Sequence, residues 1–333
     1  MPQKCEWYSL SNQYLASTGQ TMLRLHPNLQ PWLAELNRQT AQRLAEGYKP
    51  TAIGAREALA QLTAQMVSPG PAIAWVNDDL VHGGAYPVPV RIYHPEPGAA
   101  LPVLVFLHGG GHMAGGVSVY DGIHRRLAAA SRHIVVAAEY RLSPENPYPA
   151  GLDDALCVAR HVWDTLDGRG LAYRRRLSLA GDSAGGALCA SVSGLAGRDP
   201  SLDIARQALI YPCVDYTLDQ PSVAENGEGF FLTRARTDWY FDNYFQHGED
   251  RRQASPLHWE AHGQMPATLL ITAGHDILRD QGQQYARKLQ AAGAKVTLLH
   301  LEDQVHAFLN MEALVPEVCE LAYRRIGAFL NAG

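Results

Sequence analysis

A serine among small residues lies in the segment 181–186, which reads Gly-Asp-Ser-Ala-Gly-Gly. The apolar run 177–180 before it predicts a strand, and the alanine-rich stretch 187–196 after it predicts a helix. A serine on a sharp strand-to-helix turn is a nucleophile elbow, in which the hydroxyl is exposed and the helix amides point toward it. Ser183 in this setting suits attack on a carbonyl carbon. The alternative is a small-residue turn that only packs a helix against a sheet.

Three consecutive glycines, residues 109–111, follow the apolar run 101–107 and His108. The run is short and apolar, as a buried strand is. Each glycine loses much backbone entropy on ordering, so three of them beside a central strand suggest that the backbone approaches a ligand. A flexible loop is the alternative. We expect the amides of Gly110, Gly111 and Ala184 to donate hydrogen bonds to an oxyanion.

His108 and His112 are four residues apart, a spacing that two metal ligands can have on a helix. The residues between them are all glycine, so no helix is expected there. The sequence therefore predicts no metal site, and it predicts that His108 fixes the loop by hydrogen bonding.

A serine hydroxyl is a weak nucleophile at neutral pH, so it needs a base, and the base needs an orienting carboxylate. Two strands predicted over 267–273 and 295–301 precede Asp276 and His306. The order Ser, Asp, His along the chain is typical of α/β hydrolases. The carboxyl ends of the strands share the edge at which open α/β sheets bind ligands. The sequence therefore predicts a triad of Ser183, His306 and Asp276.

Other side chains compete for the roles of acid and base. They lie within a few residues of the two predicted strand ends: His275, Asp280, His300, Glu302 and Asp303. Glu302 and Asp303 are closer to His306 in sequence than a triad acid usually is. His300 falls within the strand pattern, where a packed or surface histidine is expected.

Taken together, these motifs resemble those of the hormone-sensitive-lipase-like family of α/β hydrolases. The matching segments are His-Gly-Gly-Gly at 108–111, Glu-Tyr-Arg-Leu-Ser-Pro-Glu at 139–145, Tyr-Pro at 148–149, Gly-Asp-Ser-Ala-Gly-Gly at 181–186, Asp-Ile-Leu at 276–278 and His-Ala-Phe at 306–308. The resemblance runs from Val88 to the C-terminus. Segments 251–256, 306–309 and the aromatic stretch 230–245 are most similar to the bacterial acetyl esterase branch. The resemblance implies the α/β-hydrolase fold, ester hydrolysis and the triad roles given above.

The chain departs from the family pattern at three positions. His112 stands where the family usually has an aromatic residue, Ile277 where proline is common, and Ala307 where glycine is frequent. None of the three removes a catalytic group. The first alters the expected wall of the substrate pocket.

The chain has 333 residues, of which 47% are hydrophobic and 18% charged. That composition suits a large core and argues against disorder. We predict an α/β-hydrolase fold with a mostly parallel central sheet of about eight strands, flanked by helices and covered by a helical cap. The predicted division is an N-terminal helical part of the cap at 1–65, a first part of the core at 66–213, a cap insertion at 214–262 and a second part of the core at 263–333.

Local patterns add detail to this division. Leu33, Leu36 and Leu44 recur at near-helical spacing in the N-terminal part, where three prolines predict several short helices. The catalytic core is expected to begin near Val76. Residues 88–93 alternate as an exposed edge strand would.

Aromatic residues cluster in the predicted cap insertion. Clustered aromatics at helical spacing usually form core. This insertion, however, lies between a strand over 208–211 and the strand that leads to Asp276, so it emerges at the catalytic edge. We expect it to line an apolar acyl pocket together with the N-terminal helices. The predicted pocket residues are His112, Tyr211, Phe230, Phe231, Trp239 and Phe308.

Charge and cysteine content exclude several classes of partner. A formal net charge of −5 argues against nucleic acid or an anionic membrane as partner. Five scattered cysteines without metal-ligand spacing favour reduced thiols and a cytoplasmic location. The chain opens with no apolar signal region, and no apolar run approaches the roughly 20 residues that span a bilayer. The expected partner is a small ester, and a homodimer stays open as one oligomeric state.

The sequence thus predicts a serine carboxylesterase for small esters with short acyl chains, acting without metal or organic cofactor. Two alternatives stay open. One is an amidase or peptidase on the same scaffold, which must protonate a poor amine leaving group. The other is a non-catalytic small-molecule binder, although receptors that resemble the family typically lack the base that His306 would supply.

Overall fold

One mostly parallel β-sheet organises the computed structural model, which describes residues 7–9 and 24–332. Within those residues the sheet has nine strands, against the predicted eight or so. They are β1 (Trp7–Ser9), β2 (Trp75–Val81), β3 (Val88–His94), β4 (Leu101–Leu107), β5 (Ile134–Ala138), β6 (Tyr173–Asp182), β7 (Ile204–Ile210), β8 (Ala267–His275) and β9 (Val296–Val305). The strand order is β1-β9-β8-β7-β6-β4-β5-β3-β2, and the two pairings of β3 are antiparallel.

Helices lie on both faces of the sheet and over its carboxyl edge. The α-helices in the described residues are α1 (Leu29–Ala45), α2 (Ala52–Met66), α3 (Asp121–Ser131), α4 (Ala150–Gly168), α5 (Ala184–Ala196), α6 (Pro221–Asn226), α7 (Arg234–Tyr244), α8 (Arg251–Ala254), α9 (Arg279–Ala291) and α10 (Pro316–Asn331). Two short 3₁₀ helices span Pro256–His258 and Phe308–Met311. This architecture confirms the predicted α/β-hydrolase fold.

Strand β4 shows why the central strands read as continuous apolar runs. All seven of its residues are buried. Val103 and Val105 belong to the core on the side of α4, α5 and α9, whereas Leu104 and Phe106 belong to the core on the side of α1, α3 and α10. Successive side chains of a strand point to opposite faces, so a strand covered on both faces must be apolar throughout.

Strand β3 corrects the prediction of an exposed edge strand over 88–93. It lies inside the sheet between β5 and β2, and β2 forms that edge. Five of its seven residues are fully or almost fully buried, including Val90 and Ile92. The alternation in its sequence reflects the half-buried positions of Pro89 and Arg91 rather than an exposed edge.

Helix α1 also differs from its sequence expectation. Pro31 does not break the helix, because it occupies the first turn, where the missing N–H needs no partner. Leu33 is buried, whereas Leu44 is 59% exposed at the far end of the helix and packs into no core.

A third apolar cluster covers the carboxyl edge of the sheet. It joins aromatic residues of the 214–262 segment, such as Tyr216 and Phe241, to Ala55 of α2, to Met113 and to Ile277. Much of the aromatic clustering in this segment is therefore core packing. The division of the chain into a cap and a two-part core stays a prediction.

Within the described ranges, no helix is long and apolar enough to cross a membrane. Cys157, Cys189, Cys213 and Cys319 are buried free thiols, and Cys5 lies outside the described residues. The cytoplasmic location and the oligomeric state stay predictions.

Candidate active site

Ser183 occupies a strained turn between the end of β6 and the start of α5. Its φ of 53° and ψ of −118° lie outside the regions that L-residues favour. The surrounding backbone holds this conformation, because the Ser183 amide donates to the Ile210 carbonyl at 2.9 Å and its carbonyl accepts from the Cys213 amide at 3.1 Å. A side chain at Gly185 would overlap the carbonyl of Leu107. The small residues after the serine thus let helix and strand approach closely at this turn.

The hydroxyl of Ser183 begins a chain of two hydrogen bonds. Its Oγ lies 2.8 Å from Nε2 of His306, and Nδ1 of His306 lies 2.8 Å from Oδ2 of Asp276. The second carboxylate oxygen of Asp276 accepts from the Leu278 amide at 2.9 Å. Ser183 is 9% exposed, His306 4% and Asp276 1%. The structure thus brings together the three side chains that the sequence singled out, with the imidazole between hydroxyl and carboxylate.

The competing side chains lie apart from this chain of hydrogen bonds. Strand β9 extends to Val305 rather than ending near residue 301, so Glu302 and Asp303 belong to the strand and not to the loop that was predicted. Oδ2 of Asp280 accepts a hydrogen bond from the backbone N–H of Ser222 at 2.8 Å. Among the described residues, the His306 ring forms hydrogen bonds with Ser183 and Asp276 and with none of the competitors.

The glycine loop after β4 is tied to the serine turn. The Gly109 amide donates to Oδ1 of Asp182 at 2.7 Å. The ring of His108 stacks on Tyr140 with centroids 4.5 Å apart, and its Nδ1 lies 2.8 Å from the Gly109 carbonyl. The Tyr140 hydroxyl donates to the His108 carbonyl at 2.7 Å. His108 therefore fixes the loop, as its sequence context predicted.

Three amide groups near the hydroxyl have no acceptor in the part of the chain that the structure describes. They belong to Gly110, Gly111 and Ala184, all of which line one cavity with Ser183. Ala184 is the first residue of α5, where an amide has no partner within the helix. Gly110 and Gly111 have φ values of 124° and 65°, and a Cβ on Gly111 would lie 2.7 Å from the ring of Tyr240. These amides are available to an anionic oxygen.

The cavity above Ser183 has a volume of about 180 Å³. Part of its lining comes from α1, α2 and the region of α7, and the residues that these elements contribute are mainly apolar. They include Trp32, Leu36, Leu59, Leu62, Phe231 and Tyr240. Trp32 and Phe231 contact across the cavity wall with ring centroids 5.9 Å apart. The N-terminal helices and the 214–262 segment therefore both contribute to it.

Only part of the predicted pocket lines this cavity. His112 and Phe231 do, whereas Tyr211, Phe230, Trp239 and Phe308 do not. Tyr211 and Phe308 are fully buried beneath the imidazole, with the Tyr211 ring centroid 4.8 Å from that of His306 and 5.2 Å from that of Phe308. They support the histidine from below rather than meeting a ligand.

Helical geometry explains why Trp239 was wrongly assigned to the pocket. Helix α7 presents Arg236, Thr237, Tyr240 and Phe241 to the cavity, which places Trp239 off that face. Phe230 instead stacks on His275 with centroids 4.8 Å apart. The 3.6-residue period of a helix indicates which residues of α7 share a face, such as Arg236 and Tyr240. It does not show which face of α7 meets the cavity.

His112 acts as a flat aromatic wall. It stacks on Tyr244 with centroids 3.8 Å apart and planes 3° apart, and its Nε2 lies 3.0 Å from the Tyr216 hydroxyl. Burial lowers the pKa of His112 to about 3, so the ring is neutral at pH 7. A neutral imidazole thus fills the position at which the family usually has an aromatic residue.

Asp182 is a buried carboxyl group that sequence reasoning missed. Besides the Gly109 amide, it accepts from the hydroxyls of Tyr120 at 3.1 Å and Tyr211 at 3.4 Å. Burial raises the pKa of Asp182 to about 6, and these hydrogen bonds oppose the rise. The carboxyl group joins the glycine loop to the serine turn.

Replacing Asp182 by asparagine should change how stability depends on pH. The pKa of Asp182 in the folded protein is about 6, above the reference value of 3.8. Its contribution to the free energy of unfolding is therefore complete below pH 3.8 and is lost as the pH rises through 6. Between pH 5 and 7.5 the wild type should lose roughly 1.4 kcal/mol through this group, and Asp182→Asn should not. Urea unfolding of both proteins at the two pH values measures the difference. Identical pH dependences would contradict the assignment.

The described residues hold no group of three or more histidine, cysteine, aspartate or glutamate side chains placed to bind a metal ion. His108 and His112, the pair with helical metal-ligand spacing, have separate aromatic and hydrogen-bonding partners instead.

Comparison with known proteins adds a family context to this geometry. A family model described as alpha/beta hydrolase fold matches residues 104–310. The carboxylic ester hydrolase LipN of Mycobacterium tuberculosis is 38% identical over 259 residues, which cover 73% of this chain and 67% of LipN. The ethyl acetate hydrolase of Pseudomonas putida is 33% identical over 70% of this chain and 75% of its own. A crystal structure of the Pyrobaculum calidifontis esterase superposes with a TM-score of 0.79 at 32% identity, covering 92% of this chain and 98% of that one.

Proposed function

The chain belongs to the α/β-hydrolase fold family, as a carboxylic ester hydrolase of its hormone-sensitive-lipase-like group, and from that premise we propose a serine carboxylesterase for small esters with short acyl chains. Ser183, His306 and Asp276 carry the reaction in this proposal. The observation that supports it best is the pair of 2.8 Å contacts from hydroxyl to imidazole to carboxylate. Three amides without acceptors among the described residues lie beside the hydroxyl.

Acylation begins when Oγ of Ser183 attacks the ester carbonyl carbon. Nε2 of His306 takes the hydroxyl proton, and Asp276 stabilises the imidazolium through Nδ1–H. The carbonyl oxygen becomes an oxyanion that accepts from the amides of Gly110, Gly111 and Ala184. When the tetrahedral intermediate collapses, the bond to the alcohol oxygen breaks and His306 returns the proton to the leaving alcohol. An acyl-enzyme on Ser183 remains.

Deacylation repeats these steps with water. His306 removes a proton from the water molecule while its oxygen attacks the acyl carbon, and the same amides hold the second oxyanion. Collapse releases the carboxylic acid and returns the proton to Ser183.

The size of the cavity supports a short acyl chain. A volume of about 180 Å³ is smaller than the roughly 300–1,000 Å³ of pockets that bind drug-sized ligands. Trp32 and Leu36 of α1, together with Phe231, line the cavity. We propose that α1, α2 and the 214–262 segment act as a cap that limits the length of the acyl chain.

Replacing Trp32 by alanine should lengthen the acyl chains that are accepted. Removing the indole enlarges the cavity that Trp32 lines, so kcat/KM for hexanoyl and octanoyl nitrophenyl esters should rise at least threefold relative to acetyl. A chain-length series from acetyl to decanoyl measures the change. Leu44→Ala is the matched control, because Leu44 lies on the same helix but is exposed. An unchanged profile for Trp32→Ala would contradict the role of the cap as a size filter.

A paired assay tests the proposed function directly. Hydrolysis of an ester is compared with hydrolysis of the amide of the same acid, and the protein is treated with an organophosphate and examined by mass spectrometry. We expect ester hydrolysis in large excess over amide hydrolysis and one phosphonyl group on the peptide that contains Ser183. Preferential amide hydrolysis would favour the amidase alternative, and a protein that neither turns over the ester nor reacts would favour a binder.

A further inference from the structure

A single arginine interrupts the apolar wall of the cavity. Arg236 lies on α7, is half-buried, and lines the cavity together with Phe231 and Tyr240. Its guanidinium carbon lies 5.5 Å from the centroid of the Phe231 ring and 5.9 Å from that of Tyr240. Aromatic faces attract a cation, so these rings hold the guanidinium in the wall.

The guanidinium of Arg236 has no carboxylate partner in the described part of the chain. The arginines on either side of it in sequence are paired: Arg234 Nε lies 2.7 Å from Asp238, and Arg251 lies 2.6 Å from Asp242. Within the described residues, Arg236 forms a hydrogen bond through its backbone amide, which donates to the Thr233 hydroxyl at 3.3 Å. Its five guanidinium donors are therefore available to a ligand in the cavity.

The other ionisable groups of the cavity do not neutralise this charge. Asp182 is the one carboxylate among the described lining residues, and it already accepts from Gly109, Tyr120 and Tyr211. His112 is neutral because it is buried. The cavity thus presents an unpaired cation in apolar surroundings, where a charge-assisted hydrogen bond is strong.

We propose that Arg236 binds a carboxylate on the substrate, at the end away from the reacting carbonyl. The substrate class is a small ester that carries a second, ionised carboxyl group, such as a monoester of a short dicarboxylic acid. The planar guanidinium matches a carboxylate through two parallel hydrogen bonds. This inference rests on the proposed esterase function, and it names the substrates for which the same site is selective.

Matched pairs of esters test the inference. Ethyl monosuccinate is compared with ethyl levulinate, in which a methyl ketone replaces the carboxylate, to place the charge on the acyl side. γ-Acetoxybutyrate is compared with its methyl-ketone analogue to place the charge on the alcohol side. We expect kcat/KM to be at least tenfold higher for the anionic ester in one of the two pairs. Equal rates within both pairs would overturn the inference while leaving the esterase proposal intact.

Arginine variants assign the preference to this side chain. Arg236→Met should lower the ratio of anionic to neutral kcat/KM by about 10- to 100-fold, the effect of losing a hydrogen-bonded charge pair. Arg236→Lys should retain part of the ratio. Arg234→Met is the control, because Arg234 lies on the same helix, is exposed and does not line the cavity. A ratio unchanged in Arg236→Met, or lowered equally in Arg234→Met, would overturn the inference.

A binding experiment separates this inference from the proposed chemistry. Calorimetry measures the binding of an ester to Ser183→Ala and to the double variant Ser183→Ala/Arg236→Met. The ester is the anionic one preferred in the matched pairs. If none is hydrolysed, all four esters are titrated. We expect at least tenfold weaker binding of an anionic ester when Arg236 is replaced. If no ester is turned over by the wild type but this difference is found, the esterase proposal fails, whereas the binding of a carboxylate by Arg236 is supported. If the affinities are equal, the inference fails.

Discussion

Replacing Ser183 by alanine is expected to lower kcat for a short-chain ester by on the order of 10⁴- to 10⁶-fold. Alanine keeps the Cβ and therefore the backbone requirements of the turn at φ 53°, but it removes the Oγ that forms the acyl-enzyme in the proposed mechanism. The remaining activity would come from the amides of Gly110, Gly111 and Ala184 acting on a bound water. The far-ultraviolet circular dichroism spectrum and the urea midpoint should stay close to those of the wild type.

Ser193→Ala is the matched control for this prediction. Ser193 is buried on the same helix, α5, and its Oγ has no hydrogen-bond partner among the described residues, so its removal should leave kcat unchanged. Organophosphate labelling followed by mass spectrometry gives a second readout, since Ser183→Ala should take up no label. If Ser183→Ala kept more than a tenth of the wild-type kcat, another nucleophile would have to be sought.

The serine turn was predictable because its signal is local. A strand, a tight turn and a helix follow one another within 177–196, and the small residues that let them pack are adjacent in sequence. The positions of Asp276 and His306 followed from a topological rule, that parallel strands end at one edge of the sheet. The structure places both beside Ser183 at that edge. Local pattern and sheet topology were sufficient for this part of the site.

The cavity walls were harder to predict because they depend on contacts between distant segments. Trp32 contacts Phe231, which lies about 200 residues later in the chain, and no periodicity in either segment predicts that contact. The face of α7 that carries Arg236 toward the cavity depends on how the whole helix packs against α2 and the glycine loop. Aromatic content alone therefore selected Trp239, which lies on another face, and missed Tyr240.

Asp182 shows a further limit of reading motifs. The neighbouring Ser183 marks the turn as a candidate site, yet nothing in the sequence indicates that Asp182 accepts a hydrogen bond from the Gly109 amide. The carboxyl group is buried between the two loops that must stay in register for the hydroxyl and the amides to meet one substrate. The role of Asp182 depends on this buried position, which its sequence context does not predict.

Asp276→Asn is expected to lower kcat by about 10⁴-fold, because asparagine cannot satisfy both neighbours of the carboxylate. If the amide nitrogen faces His306, Nδ1 must become an acceptor, the ring proton moves to Nε2, and the imidazole can no longer take the proton of Ser183. If the amide nitrogen faces the Leu278 amide instead, two donors meet where a 2.9 Å hydrogen bond stood. Either orientation removes the base or destabilises the loop that holds it.

Asp303→Asn separates this prediction from a general loss of negative charge near the histidine. Asp303 is one of the two competing acids in β9; it is half-buried, and its Oδ1 accepts from the side chain of Gln304 at 2.8 Å. Its replacement should change kcat less than threefold, since it has no contact with the imidazole among the described residues. A large loss in Asp303→Asn with activity kept in Asp276→Asn would move the role of orienting acid to β9. The reverse result would support Asp276 as the carboxylate that orients the imidazole, with proton transfer confined to the Ser183 hydroxyl and His306.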